Sequence, residues 1–156
     1  MQVDIRPLVA DDHHAVGRIF FCAVHEGTRS AYTYVQRLAW GGETIDLDRW
    51  KARVKTLSGF VAEADSEPVG VITIDQTGYV ALAYVLPSAT RQGVGTALLS
   101  AAERWAKDKG ATRLATEASL IARPFFLKNG WRVLEEEQVE RNSVTLTRFK
   151  MQKDLE

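Results

Sequence analysis

The stretch ATRQGVGTALLSAAERWAKDKG, residues 89–110, decides the fold because a polar segment passes there into an amphipathic helix. Apolar side chains recur at helical spacing between about 93 and 109, and Gly110 ends the pattern. Two glycines one residue apart, Gly93 and Gly95, stand where the helix begins. Glycine leaves the backbone uncovered, so the sequence predicts a close approach to the backbone in the first turn of this helix.

An anion is the ligand that such a helix start favours. A strand that stops at Pro87 and a helix that begins at Gly93 bring unpaired N–H groups and the positive end of the helix dipole into one small space. Glycine at 93 and 95 lets a phosphate oxygen reach those groups, and Arg91 and Gln92 can add donors, so pyrophosphate is the expected ligand. The alternative is purely structural: Gly93 permits a left-handed turn and Gly95 permits close helix packing.

The hydrophobic periodicity of the whole chain predicts an α+β fold. The expected helices cover 10–27, 93–109 and 122–129, with two short helices between 28 and 57, and the expected strands cover 3–8, 59–65, 67–76, 78–86, 112–119, 131–141 and 143–152. The strands between 59 and 86 form a predicted antiparallel meander, so the elements are expected to surround one mixed sheet. We expect the chemistry to lie where the last strand of the meander meets the long helix.

Composition and charge limit the classes of function. The 156 residues suit a single domain over 1–156, and 20 basic residues balance 20 acidic ones, so no overall field attracts nucleic acid or an anionic membrane. The one cysteine, Cys22, cannot form an internal disulfide, and on an apolar helix it is expected to be a small buried hydrophobe rather than a nucleophile. Neither a signal-peptide pattern nor an apolar run of roughly 20 residues occurs. We therefore expect a cytoplasmic protein without nucleic-acid or membrane partners.

Two other phosphate-binding motifs do not fit the sequence. A Walker loop requires a GK pair, which occurs nowhere in the chain. A dinucleotide fingerprint requires a third glycine where this chain has Leu98, and the glycines here follow a meander rather than the first strand of a βαβ unit. A nucleotide-binding domain that transfers no acyl group is therefore kept only as a third hypothesis, after the two that are given below.

Two motifs resemble those of a known family. The stretch YVLPSATRQGVGTALLSAAERWAKDKGATRL, 84–114, is similar to the acetyl-CoA motif of the GNAT superfamily of N-acetyltransferases, in which a V-x-P strand end precedes [QR]-x-x-G-x-[GA] and a helix. The stretch EASLIARPFFLKNGWRV, 117–133, resembles the second motif of that superfamily, and AYTYVQRLAW and DLDRW look like its YafP-like branch. The resemblance implies a mixed, mostly antiparallel central sheet, flanked by helices and splayed between strands 4 and 5.

The resemblance also implies a set of residues that bind acetyl-CoA, the co-substrate. Tyr84 and Val85 would pair with the pantetheine arm at the splay. The remaining expected contacts are Thr90, Arg91, Gln92, Gly93, Val94, Gly95, Thr96, Ser119 and Phe126. Three of these depart from the family pattern, because Thr90 replaces Gln or Arg, Ser119 replaces Asn, and Phe126 replaces the tyrosine that often protonates the departing thiolate. The identity of the acid is therefore open.

Direct attack of an amine on the thioester, which the resemblance implies, requires a base. Glu117 lies in the otherwise apolar strand LATEAS beside the splay and is the first candidate. Tyr79 begins the last meander strand, on the same side as Val85 by strand parity, and is expected to relay a proton through water. The alternatives are a hydrated or arginine-paired Glu117 and a purely structural Tyr79. The N–H of Val85 is a candidate donor to the oxyanion.

Several side chains are candidates for binding the acceptor amine. They are His25, Tyr32, Trp40 and Trp50, which belong to a polar, glycine-broken segment or border it. Plain packing of the rings over the sheet edge and a surface or capping role for the histidine are the alternatives. The three histidines have no metal-ligand spacing, so no metal site is predicted.

These observations favour an acetyl-CoA-dependent N-acetyltransferase that acts on the amine of a small molecule or peptide. A non-catalytic acyl-CoA binding or sensing module is the main alternative, because Phe126 has no proton to give. A homodimer is left open.

Overall fold

The computed structural model describes residues 2–156 and contains one seven-stranded sheet in the order β1-β2-β3-β4-β5-β7-β6. The strands are β1 Val3–Pro7, β2 Gly59–Ala64, β3 Glu67–Ile74, β4 Tyr79–Val85, β5 Arg113–Ser119, β6 Arg132–Arg141 and β7 Val144–Asp154. The helices are α1 His13–His25, α2 Tyr34–Gly41, α3 Leu47–Val54, α4 Val94–Asp108 and α5 Ala122–Lys128. The pair β4–β5 is parallel and the other pairs are antiparallel, so the predicted mixed, mostly antiparallel sheet is confirmed.

Helices cover both faces of the sheet. The amphipathic stripe of α4 packs on β1 to β4, with Leu98 and Leu99 each 2 % exposed. Burying a side chain of this size contributes about 1.5–3 kcal/mol to the free energy of folding, so the stripe provides much of the energy that keeps α4 packed on the sheet. On the opposite face α1 packs against β3, β4, α2 and α3. Among the helices of residues 2–156, none combines the length and the apolarity that crossing a bilayer requires.

A bulge in β4 sets the geometry at the centre of the sheet. Thr73 pairs with Leu82 and Ile74 pairs with Val80, so Ala81 is an extra residue in β4. Leu82 N donates to Thr73 Oγ1 at 3.0 Å, which satisfies the backbone donor that the bulge displaces. A bulge bends its strand and increases the local twist, so β4 turns away from β5.

The turn of β4 opens a gap between β4 and β5. In the described part of the chain, the β4–β5 ladder consists of the pairs Tyr79↔Ala115 and Val80↔Thr116, and Thr116 Oγ1 donates to Val80 O at 2.9 Å. Beyond these residues the two strands diverge, and we refer to this space as the β4–β5 gap. The splay that was expected between strands 4 and 5 is therefore present.

The bulge also corrects one prediction. Strand parity placed Tyr79 on the same side as Val85, but the extra residue inverts the alternation between them. Gly70, the partner of Val85, directs its Cα hydrogen toward Leu98 and Val94 of α4, whereas Tyr79 and Tyr84 line a cleft on the opposite face. Tyr79 therefore shares a face with Tyr84 and not with Val85.

Candidate active site

The first turn of α4 is open to a ligand. Gly93, the N-cap residue, has φ = +82°, and a Cβ built on it would meet no atom within 4 Å. The left-handed backbone conformation at position 93 favours glycine there, whereas no crowding by the rest of the protein requires it. No side chain caps α4, so its first N–H groups and the positive end of its dipole face the open space beside Gly93.

Gly95 serves a different purpose from Gly93. A Cβ at position 95 would lie 3.1 Å from Phe125 Cε1, so the glycine lets α5 approach the first turn of α4. The close helix packing that was considered for Gly95 as the alternative to ligand binding is therefore present. Phe125, which was not among the predicted contacts, is therefore the α5 side chain that lies against Gly95.

The loop before α4 is held by its own polar side chains. Thr90 Oγ1 donates to Pro87 O at 2.9 Å, and Gln92 Nε2 donates to Ser88 O at 3.3 Å. Arg91 is exposed and has φ = +63°, a left-handed conformation that only a minority of non-glycine residues adopt. Thr90 and Gln92 thus shape the loop, and the guanidinium of Arg91 extends from its exposed turn.

The inner edge of β4 presents backbone groups to the β4–β5 gap. Leu86 N donates to Val69 O at 2.8 Å, so this N–H points toward β3. Backbone groups alternate in direction along a strand, and the N–H of Val85 therefore points to the other edge, into the gap. An extended ligand in the gap could pair with this edge as a neighbouring strand would.

A cleft of about 250 Å³ lies on the face of the sheet opposite α4. It is formed by side chains from the segment before α2, from α2, α3 and from β4 to β7, which are Tyr32, Trp40, Arg53, Tyr79, Ala81, Tyr84, Glu117, Ser119, Val139, Arg141, Leu146, Thr147 and Arg148. The cleft therefore joins residues that are far apart in sequence. Both candidates for proton transfer, Tyr79 and Glu117, belong to it.

Tyr79 and Glu117 are in direct contact. Tyr79 Oη donates to Glu117 Oε1 at 2.8 Å, across the two strands that begin to diverge at this point. Tyr79 pairs with Ala115, and the length of its ring spans the two-residue step along β5 to Glu117. Burial, then the hydrogen bond to Glu117 and its negative charge, raises the pKa of Tyr79 to about 12. The phenol therefore keeps its proton at neutral pH and donates a hydrogen bond to the carboxylate.

Aromatic rings form one wall of the cleft. The Trp40 ring lies 5.5 Å from that of Tyr32 and 6.3 Å from that of Tyr84, measured between centroids. Tyr32 Oη donates to Thr147 O at 2.7 Å and accepts from Leu120 N at 2.9 Å. Tyr32 thus fixes the segment before α2 to β7 and to the end of β5, and the wall is rigidly placed.

Three predicted ligand-binding side chains pack within the protein and line neither the cleft nor the open space at the start of α4. His25 Nε2 is 2.7 Å from Gly42 O, in the packing between α1 and the end of α2. Trp50 is 8 % exposed and its ring packs 5.1 Å from that of Phe20. Phe126 is 2 % exposed, with its ring 4.7 Å from that of Trp131. All three side chains are engaged in packing within the protein, and we do not assign them a ligand.

The cleft also contains residues that the sequence did not suggest. Arg53 comes from α3, Arg141 ends β6, and Arg148 lies in β7, where its Nε donates to Glu137 Oε1 at 2.9 Å. The β6–β7 hairpin brings the last two to the cleft through pairing that no local motif announces. Alternation of polar residues along β7 was the one available signal, and it does not identify the partner element.

Comparison with known proteins identifies the family of this chain. Residues 28–154 match the family model described as an acetyltransferase (GNAT) domain. The protein "Uncharacterized N-acetyltransferase YafP" of Escherichia coli strain K12 is 31% identical over 149 residues, which are 96% of this chain and 94% of the relative.

Solved structures show the same fold. The crystal structure of a GCN5-related N-acetyltransferase from Rhodopseudomonas palustris, whose description also reads "Aminotransferase, Class-II", superposes with a TM-score of 0.92 at 28% identity, covering 99% of this chain and 97% of that one. The PaiA N-acetyltransferase of Thermoplasma acidophilum, solved in complex with coenzyme A, superposes with a TM-score of 0.81 at 21% identity over 99% of this chain and 100% of that one.

Proposed function

The chain belongs to the GNAT family of acetyltransferases and is an N-acetyltransferase, and from this premise we propose that it transfers the acetyl group of acetyl-CoA directly to an amine bound in the cleft. The observation that carries the proposal is the position of the Tyr79–Glu117 pair, which lies where the β4–β5 gap meets the cleft. A thioester reaching through the gap and an amine entering the cleft would meet beside this pair.

The start of α4 is proposed to bind the pyrophosphate of CoA. Its uncapped N–H groups, the open space at Gly93 and the exposed guanidinium of Arg91 suit a doubly charged anion. Val94 and Thr96, which follow Gly93 in the first turn, would lie beside it. The PaiA protein, which shares the fold, was solved in complex with coenzyme A, and this supports CoA as the ligand.

The pantetheine arm is proposed to lie along the inner edge of β4, at Tyr84 and Val85. Acetyl-CoA supplies an activated acetyl group, whose carbonyl carbon the nitrogen of the amine attacks. The N–H of Val85 points into the gap and is placed to donate to the carbonyl oxygen as negative charge develops on it. Ser119 ends β5 in the lining of the cleft, and its Oγ accepts from Ala122 N at 3.0 Å, which fixes the turn into α5.

Glu117 is proposed to accept the proton of the attacking amine. Tyr79 holds Oε1 of the carboxylate, so the free Oε2 is the atom that faces the acceptor. As the N–C bond forms, the proton passes from nitrogen to Glu117, the C–S bond breaks, and the sulfur leaves with the bonding electrons. Phe126 takes no part, because it is buried and has no proton to transfer.

Binding and turnover test the proposal separately. CoA or acetyl-CoA should raise the melting temperature of the protein much more than ATP or NAD does, because a ligand that binds only the folded state stabilises it. Release of free thiol in the presence of an amine panel measures turnover. Equal shifts with all three nucleotides would contradict the CoA site, whereas CoA binding without thiol release would favour the acyl-CoA sensing module.

Four finer points stay predictions. They are a small molecule or peptide as the source of the amine, a cytoplasmic location, a homodimer, and a single GNAT-like domain over 1–156. The cleft volume of about 250 Å³ supports the small molecule, because ligand pockets of this size hold molecules of few atoms.

A further inference from the structure

We propose that the acceptor is a small amine that also carries an anionic group, a carboxylate or a phosphate, and that Arg53 and Arg141 bind this group. The inference deepens the proposed function, because it assigns the substrate class of the same cleft. It predicts a molecule with its amine near Glu117 and its anion near the two arginines.

The cleft has an excess of positive charge. Four ionisable residues other than tyrosine line it: Glu117, Arg53, Arg141 and Arg148. Arg148 is neutralised by Glu137, whose carboxylate is 2.9 Å from its Nε and also lies 3.7 Å from Lys150 Nζ. Two cations therefore face one carboxylate. Because charge in a concave site attracts ligands of the opposite sign, the cleft favours an anion over a further cation.

Neither of the two arginines is occupied by a neighbour. Within residues 2–156, Arg53 and Arg141 form no ion pair and donate no side-chain hydrogen bond. The Arg53 guanidinium stacks over the Trp50 ring, 5.4 Å from its centroid, which limits its directions. All five N–H groups of each guanidinium are thus available to a ligand, and a bidentate carboxylate or phosphate is their best partner.

The two arginines act on the same part of the cleft. Burial raises the pKa of Tyr84 to about 12, and the positive charges of Arg53 and Arg141 both oppose this rise. Arg53 and Arg148 act in the same way on Tyr79. Both arginines and both phenols line the same cleft. The anion is expected beside Tyr84, and the amine beside the Tyr79–Glu117 pair.

The charge distribution also disfavours one class of acceptor. An aminoglycoside carries several ammonium groups and no acid, so it would bring further positive charge to Arg53 and Arg141 and leave them unpaired. An α-amino acid or a phosphorylated amino alcohol offers one amino group and one anion, which matches the cleft. Only the unprotonated amine attacks, and the positive charges of the arginines favour that form of the bound amine.

Matched pairs of amines test the inference by binding and by turnover. The pairs are α-amino acids with their decarboxylated amines, and phosphoethanolamine with ethanolamine. Each is added to the protein saturated with CoA for melting-temperature shifts, and to the protein with acetyl-CoA for kcat/KM. We expect the acid-bearing member to shift the melting temperature more and to have a kcat/KM about tenfold higher or more. Comparison of the carboxylate and phosphate pairs identifies the anion.

Substitutions test whether Arg53 and Arg141 cause the preference for the acid-bearing amine. Arg53→Gln and Arg141→Gln should each reduce the preference for the acid-bearing member about tenfold, through KM more than kcat, while the shift caused by CoA alone stays unchanged. Arg104→Gln, an exposed arginine of α4 away from the cleft, is the control and should have no effect. Acid-dependent binding that requires the arginines would support the inference even if no amine were acetylated, a result that would overturn the proposed function instead. Equal binding of both members, or an acid preference that survives both substitutions, would overturn the inference.

Discussion

The hydroxyl of Tyr79 donates to Glu117 at 2.8 Å and so links β4 to β5 at the point where their backbones separate. The contact depends on the bulge at Ala81, which moves the downstream part of β4 away while Tyr79 stays paired with Ala115. The pair is thus held by backbone geometry on one side and open to the cleft on the other. Its two members lead to separate predictions.

Replacing Glu117 with Gln should lower turnover by about 10² or more, because a positioned base contributes on the order of 10²–10⁴ to proton transfer. CoA should raise the melting temperature of the variant as much as that of the parent, since Glu117 lines the cleft on the face of the sheet opposite α4. Glu136→Gln is the control, an exposed carboxylate of β6 on the other face from the cleft. Equal turnover in Glu117→Gln and Glu136→Gln would remove Glu117 from the mechanism.

Replacing Tyr79 with Phe should reduce kcat less than the loss of Glu117 does, because only the orientation of the carboxylate changes. The raised pKa of Tyr79, about 12, means that the folded state holds the phenol proton more tightly than the unfolded chain does. The stabilisation is complete below about pH 10 and is lost as the pH rises toward 12. The difference in phenolate absorbance between parent and variant should therefore titrate near 12. A difference that titrates near 10 would show that the contact with Glu117 does not form.

Gly93 and Gly110 offer a matched comparison. Both have positive φ, +82° and +90°, and a Cβ at either would meet no atom within 4 Å. Each change to Ala should therefore cost a similar backbone strain, about 1–2 kcal/mol of unfolding free energy. Only Gly93→Ala should also weaken CoA binding, by about tenfold or more, because its new methyl group occupies the proposed pyrophosphate position. Equal CoA affinity in the two variants, measured by calorimetry, would assign Gly93 a purely structural role.

Phe126 is expected to matter for stability rather than for the reaction. Phe126→Ala removes a ring that is 2 % exposed, so it should lower the free energy of unfolding by about 3–5 kcal/mol. Phe126→Tyr should leave kcat within about tenfold of the parent, because its hydroxyl would enter the core beside Trp131. Denaturant unfolding and thiol release measure the two effects. Thiol release that appears only in Phe126→Tyr would show that the parent is a binding protein without a catalytic acid.

The Arg6–Asp12 ion pair predicts how stability depends on acid. Burial alone would raise the pKa of Asp12, but hydrogen bonds from Arg6 and from Val9 N, with the positive charge of Arg6, hold it below its ordinary value of 3.8. The folded pKa is lowered, so the pair stabilises the fold above that ordinary value and ceases to do so as the pH falls through the folded pKa. Asp12→Asn should cost about 1–3 kcal/mol at neutral pH and less in acid. Asp11→Asn, an exposed neighbour, should show no such dependence.

The order and type of the elements could be predicted because the apolar pattern is regular. The predicted helix 93–109 corresponds to α4, Val94–Asp108, and the predicted strand 112–119 to β5, Arg113–Ser119. The family and its YafP-like branch were also identified from local motifs and are confirmed. Each of these signals lies within one short stretch of the chain.

What could not be predicted depends on contacts between distant segments. Nothing in YVALAYV marks Ala81 as an extra residue, because the bulge follows from pairing with β3, and the face assigned to Tyr79 was therefore wrong relative to Val85. The motif also cannot tell which of two adjacent phenylalanines lies against Gly95, since the orientation of α5 decides it. Arg53 and Arg141 meet only through tertiary packing.

The β4–β5 gap gives the sheet two interior borders in addition to its outer ones. An exposed strand border ordinarily invites pairing with another chain, which is a route to aggregation. Here the two borders diverge from a common point at Val80 and Thr116, and the bulge at Ala81 is the irregularity in β4 from which they separate. The proposed pantetheine arm carries amide groups of its own, so it would pair with the border of β4 as a strand does. An unpaired border in the middle of the sheet would in this way be covered by the ligand and closed to other chains.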